Sequence, residues 1–197
     1  EAAALADAVL ATNTSSIALE EIATAFGDRS RLVGFHFFNP VALLPLVEVV
    51  HGEYTDKNVL NRAMSFATQI GKLPLPCRSA PGFVVNRILA PYMLEALRAH
   101  EDGFAIETID KAATDFGMPT GPVELSDRVG LDIALHVVEG LCGMAPQKLR
   151  DKVAAGELGA KTGRGFYEFS NNRPQRAKNY ERPDQELQDR LILTLVN

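Results

Sequence analysis

The chain has 197 residues, 46% hydrophobic and 23% charged, with a formal net charge of −5 at pH 7. That acidic balance argues against nucleic acid or an anionic membrane surface as the main partner, because both select a basic face. No apolar run reaches the roughly 18 residues of a bilayer-spanning helix. Cys77 and Cys142 stand far apart, without a Cys-x-x-Cys or a His cluster beside them. This points away from a structural metal or a disulfide framework and toward a reducing compartment.

In chain order, "AVLAT" (8–12) reads as a short buried strand. "NTSS" then turns into a helix, "IALEEIATAF", with Ser15 or Ser16 placed to cap it and Gly27 to end it. "RLVGFHFF" has the β-branched and aromatic content of a strand and stops at Asn39-Pro40. "PLVEVV" (45–50) is a further apolar strand. In "DKNVLNRAMSFATQIGK", Val59, Leu60, Ala63, Phe66, Ala67 and Ile70 recur at helical spacing, and Asp56 is placed to cap. "KLPLPC" is a short strand. Strands alternating with helices up to about residue 79 describe part of an α/β sheet.

After "SAPG" (79–82) the pattern turns helical: "FVVNRILAPYMLEALRAHEDG", "AIETIDKAATDFG", "GPVELSDRVGLDIALHVVEGL" and "PQKLRDKVAAG", separated by Gly and Pro, with a strand pattern returning only at "GFYEF" (165–169). The expected organisation is an α/β segment over 1–79, an all-α domain over 80–169, a polar linker over 170–184, and the start of a second, truncated helical unit over 185–197. A weak repeat between "NRILAPYML" and "DRLILTLVN" favours that last unit. The chain opens on Glu1 rather than Met and closes on an apolar helical pattern without a stop signal, so both ends read as cut.

Six positions stand out chemically. His36 lies in an apolar strand, sharing a face with Gly34 and Phe38; it is either a packed core histidine or an imidazole held for chemistry. Glu48 lies between valines in the next strand. A buried, unpaired carboxylate is expensive, and two adjacent strands with one titratable group each are most cheaply arranged if those groups meet. A carboxylate on one imidazole nitrogen fixes the tautomer and leaves the other as a base. Ser15 sits between a strand and a helix, where α/β sheets collect ligands, although from spacing alone plain capping by Ser15 or Ser16 is the simpler account. Asn86, in the first turns of a helix, is either solvent-facing or reaching for a partner; Asn39 reads most simply as a turn residue, and Lys161, in the Gly-rich "GAKTGRGF", as a surface lysine. No G-x-G-x-x-G occurs anywhere.

Taken together, "ATNTSS", "GFHFFNPVALLPLVEVV", "PGFVVNRILAPYMLEA", "FGMPTGPVELSDRVGLD" and "KTGRGFYEF" resemble the L-3-hydroxyacyl-CoA dehydrogenase family of fatty-acid β-oxidation, in family order over nearly residues 8 to 169. The resemblance implies the C-terminal part of a Rossmann-like NAD-binding domain followed by an all-α dehydrogenase domain. It further implies His36 and Glu48 as the catalytic pair, Ser15 and Asn86 at the substrate hydroxyl, and Ser15, Asn39 and Lys161 near NAD. It implies an acyl-CoA substrate and no metal. The family's Gly-rich phosphate loop has no counterpart in these residues, so weak NAD binding, no turnover by the chain alone, and pairing of copies through exposed strand edges are expected. The tail beyond "KTGRGFY" is similar to the multifunctional fatty-acid oxidation α subunit, which implies a homo-oligomer, such as a dimer, and a thiolase subunit as partner. The competing readings are a non-catalytic helical oligomerisation module and a two-domain dehydrogenase for short 3-hydroxybutyryl-CoA-type substrates.

Overall fold

The computed structural model describes residues 4–15 and 17–196, in two compact units, 1–85 and 86–197. The first unit is built on a four-stranded sheet ordered β1 (Leu10–Thr12), β2 (Leu32–Phe37), β3 (Leu46–His51), β4 (Leu73–Arg78). β1 runs parallel to β2, β2 antiparallel to β3, and β3 parallel to β4. β2 and β3 are buried on both faces, so they read as nearly continuous apolar runs. Their odd-numbered residues, with Val33, Phe35, Val47 and Val49, pack on Val59, Ala63 and Ala67 of helix α2 (Lys57–Gln69). Asp56 caps α2 by accepting hydrogen bonds from Asn58 N (2.7 Å) and Val59 N (3.4 Å), an arrangement typically worth about 1 kcal/mol. The even face meets the short helix α1 (Leu19–Ala23) through Leu19, Ala23, Leu32 and Val50, with Phe83 joining the same cluster.

The two sheet edges are treated differently. Leu73 N donates to Pro45 O (2.8 Å) and Ser79 N to His51 O (2.9 Å), so the odd-numbered amides of β4 face β3. Pro74 and Pro76 therefore fall where an amide would point outward, and the β4 edge offers no donor at either position. β1, at the opposite edge, carries no proline.

α1 is shorter than its apolar pattern suggests. Its N-cap is Ala18, with no side-chain cap, and Thr14 Oγ1 accepts from Ile17 N (2.9 Å) one turn earlier. Ser15 is an exposed bend residue rather than the cap, and Ser16 lies outside the described residues.

The second unit holds α3 (Val85–Glu101, whose first residue closes the first unit), α4 (Ile106–Phe116), α5 (Pro122–Val129), α6 (Leu131–Cys142), α7 (Gln147–Ala154), a hairpin of β5 (Glu168–Ser170) and β6 (Arg173–Gln175), and α8 (Gln185–Val196). The single helix expected over 121–141 is two, because Gly130 takes φ 105° and ψ 127° between α5 and α6. The expected linker contains β6. Asn171 and Asn172 both adopt positive φ (49° and 60°), the combination a two-residue hairpin turn needs and Asn tolerates. Beyond β6 the chain stays attached: Ala177 N donates to Glu107 Oε1 (2.8 Å) and Thr108 Oγ1 to Glu181 O (2.7 Å). Residues 185–196 do not open a separate helical body in this chain. Leu187 and Leu191 of α8 are buried in one cluster with Tyr92, Ala96, Ile109, Val123 and Tyr167, and Asp184 caps the helix through Leu187 N (2.8 Å).

Candidate active site

The register of β2 against β3 places His36 directly opposite Glu48. Cross-strand partners of an antiparallel pair share a face with Cβ atoms about 5 Å apart, and here the side chains meet: His36 Nδ1 lies 2.7 Å from Glu48 Oε2. His36 is 7% exposed and Glu48 0%. Burial without partners would be prohibitive for the carboxylate, but Oε1 also accepts from Val84 N and Val85 N, both at 2.9 Å. A carboxylate is an acceptor, so Nδ1 carries the proton and Nε2 keeps its lone pair. Two aromatic rings stand edge-on to the imidazole, Phe38 at 4.8 Å and Phe83 at 5.5 Å between centroids. Cys77 lies in the same unit; burial first, and then Glu48, push its thiol up to about 11, so it is an inert protonated neighbour.

Asn13 Oδ1 accepts from Phe37 N (3.3 Å), tying the loop after β1 to the strand residue next to His36. Ser15 is exposed two residues further along that loop, at the carboxyl ends of two parallel strands, where an α/β sheet gathers ligands. Asn39 is exposed just beyond β2, and the Asn39–Pro40 peptide is cis. A polar loop and an exposed amide flank this end of the sheet. The described residues present no glycine-rich strand-to-helix turn for the pyrophosphate. Asn86 and Lys161 belong to the second unit: Asn86 is half-buried at the second residue of α3, and Lys161 is exposed and ion-paired to Asp132.

The second unit holds a polar network that the sequence reading passed over. Asp110, from α4, accepts from Val123 N (2.8 Å), Glu124 N (3.0 Å) and Tyr167 Oη (2.9 Å), so it caps α5 from a neighbouring helix. Asp127, from α5, accepts from Phe166 N (3.0 Å) and Tyr167 N (2.8 Å). Burial raises both carboxyls to about 6 against the opposing pull of these hydrogen bonds. Two glycines of "GAKTGRGF" serve this packing: a Cβ on Gly165 would lie 2.0 Å from Asp127 Oδ1, and one on Gly159 would lie 2.1 Å from Asp127 O. The signal was present in the sequence, since Asp110 falls among Thr108, Ile109, Ala112 and Ala113 on the buried side of α4.

A buried imidazole–carboxylate pair thus stands in the sheet whose parallel strand ends collect ligands in α/β folds, in a chain that continues into a helical unit. The family model of the 3-hydroxyacyl-CoA dehydrogenase NAD binding domain matches residues 1–80, and that of the C-terminal domain matches residues 82–169. The chain belongs to the 3-hydroxyacyl-CoA dehydrogenase family. It is 43% identical over 173 residues to a probable 3-hydroxyacyl-CoA dehydrogenase of Caenorhabditis elegans, covering 83% of this chain and 58% of that protein. Among solved structures it resembles FadB2 of Mycobacterium tuberculosis (TM-score 0.79, 44% identity, 83% of this chain and 61% of that one). It also resembles the dehydrogenase part of multifunctional enzyme 1 from C. elegans (TM-score 0.62, 30% identity, 96% of this chain and 43% of that one).

Proposed function

We propose that the chain supplies the proton-abstracting machinery of an NAD-dependent oxidation of 3-hydroxyacyl-CoA to 3-ketoacyl-CoA. The observation that carries this reading is the 2.7 Å contact between His36 Nδ1 and Glu48 Oε2, which leaves Nε2 as the base. His36 Nε2 takes the proton of the 3-hydroxyl, and the charge that then appears on the imidazole is met by the Glu48 carboxylate. Ser15 and Asn86 hold the hydroxyl oxygen in line for loss of the hydrogen on C3. Bound NAD supplies the acceptor for that hydride, with Asn39, Ser15 and Lys161 contributing to its site. The C3–O bond becomes a carbonyl as the proton and the hydride leave.

The test is His36→Ala in the protein that carries this chain. Turnover falls about 10²–10⁴-fold, the usual contribution of a general base, with the melting temperature nearly unchanged. Unaltered turnover overturns the reading, and global unfolding without a kinetic effect of milder variants favours a non-catalytic helical module. Substrate length is a separate matter. A 45% identical relative in M. tuberculosis bears the name 3-hydroxybutyryl-CoA dehydrogenase, which favours a short acyl chain. Activity against C4 and longer acyl-CoA substrates decides it. The multifunctional branch is supported by the tail, since the C. elegans multifunctional enzyme matches 96% of the chain while FadB2 matches 83%. That branch carries with it a cytoplasmic homo-oligomer with a thiolase subunit, which co-purification tests.

A further inference from the structure

The turn between β4 and α3 is built in an unusual way. Gly82 and Phe83 both take left-handed backbone conformations, φ 73° and 50°. Glycine does so freely, but an L-residue with a side chain is disfavoured there, and a bulky one is held only where its surroundings over-determine it. Phe83 is 6% exposed, and its ring stands edge-on to the His36 imidazole at 5.5 Å and 62°. The next two amides, Val84 N and Val85 N, converge on Glu48 Oε1.

We propose that Phe83 is a positioning residue for the His36–Glu48 pair, its left-handed backbone aiming two amides at the carboxylate while its ring sets the plane of the imidazole. The catalytic half of this statement rests on the proposed role of the pair; the geometric half does not. Strand register fixes the backbone positions of residues 36 and 48, but it leaves the two-fold flip of an imidazole and the terminal rotation of a glutamate open. Two amides on Oε1 leave Oε2 as the oxygen presented to Nδ1. An aromatic edge against the imidazole opposes the flip that would exchange Nδ1 for a carbon. A right-handed residue 83 would rotate the peptide between 83 and 84 and turn the first of those amides away.

The experiment reads the His36 tautomer directly, by 15N NMR of the 197-residue chain labelled at histidine. Val85→Pro removes one donor at the first residue of α3, where proline suits a helix; Val85→Ala keeps the donor and serves as control. Phe83→Gly relieves the backbone and removes the ring, whereas Phe83→Leu keeps the bulk. In the wild type and in Val85→Ala one tautomer dominates, with the proton on Nδ1. In Val85→Pro the ratio falls roughly fivefold or more, the effect of losing one hydrogen bond, and in Phe83→Gly it falls roughly threefold or more through loss of the ring contact and of the fixed backbone, while circular dichroism shows both folded. Should Phe83→Gly unfold, Val85→Pro still decides the amide contribution and Phe83→Leu the ring contribution. A wild-type ratio in the folded variants, or a mixture of tautomers in the wild type, overturns the proposal. In the turnover-competent protein the same variants lower kcat more than they change KM. A tautomer shift alongside full activity of His36→Ala would sink the catalytic reading and spare the positioning one; the reverse pair of results does the opposite.

Discussion

Each unit buries carboxylates, and the two sets are fastened alike but equipped differently. Glu48 in the first unit and Asp127 in the second are both 0% exposed, and each takes two backbone amides from a distant segment. Their remaining partners differ. Glu48 spends its second oxygen on an imidazole whose other nitrogen keeps a lone pair. Asp127's hydrogen bonds come from backbone amides, and Asp110, at the other end of Tyr167, accepts from its hydroxyl, a phenol that burial and then Asp110 push far above its ordinary value. A phenol held that firmly protonated donates a hydrogen bond but does not relay a proton at neutral pH. Space separates them as well, since Gly121 and Gly165 press against Asp110 and Asp127 so closely that a Cβ on either would overlap a carboxylate. Burial and hydrogen bonding of an acid therefore mark a fastener. A titratable partner with an unused lone pair is what adds chemistry.

The largest effect that sharpens this contrast is expected from Glu48→Gln. The amide oxygen still accepts from Val84 N and Val85 N, so the fold survives with little change in melting temperature. The amide nitrogen, however, donates to Nδ1 and forces the imidazole proton onto Nε2, where the base should be. An orienting acid replaced by its amide lowers kcat by as much as about 10⁴-fold through the wrong tautomer, and steady-state kinetics of the turnover-competent protein measure it. Full activity with an intact fold would make Glu48 another fastener.

Asp127→Ala should show the opposite profile. Phe166 N and Tyr167 N would be left buried without an acceptor, at about 1–3 kcal/mol each. The second unit loses roughly 2–6 kcal/mol, read as a lower urea midpoint, while the 15N signature of His36 in the first unit stays as in the wild type. A variant as stable as the wild type would mean that water reaches those amides.

The elements that follow from period and punctuation were legible in the sequence: four strands of the first unit, α2 with its Asp56 cap, and most helices of the second. The pairing of His36 with Glu48 was legible because a lone polar, titratable side chain in each of two apolar strands is costly until the two meet. What escaped was set by tertiary contact. The break at Gly130 lies within a continuous apolar pattern, and "SNNRPQ" has the composition of a linker until two asparagines at positive φ fold it into a hairpin. α8 reads as the start of a second helical unit because its partner surface, on Tyr92, Ile109 and Val123, is spread over three helices. The left-handed conformation of Phe83 has no sequence signature, as the residue type argues against it.

The smallest effect concerns pH, and its sign is counterintuitive. Burial raises the carboxyls of Asp110 and Asp127 from an ordinary 3.8 to about 6. A raised acid binds its proton more tightly folded than unfolded, so its charged form costs stability above about 6, and that cost is relieved as pH falls through 6. Between pH 7 and 5 each group should contribute on the order of 1 kcal/mol of added stability. Glu124 faces both and reinforces the shift, whereas Lys152 opposes it at Asp127. His100, in the same unit, works in the other direction: burial lowers it, so the unfolded chain gains its proton first and stability is lost as pH falls below the ordinary 6.5. The total slope mixes these contributions, but a difference isolates one of them. Urea unfolding of the wild type against Asp127→Asn cancels His100 and Asp110, and the wild type should gain about 1 kcal/mol on the variant between pH 7 and 5. If the gap stays constant, the two amides outweigh burial and hold Asp127 ionised.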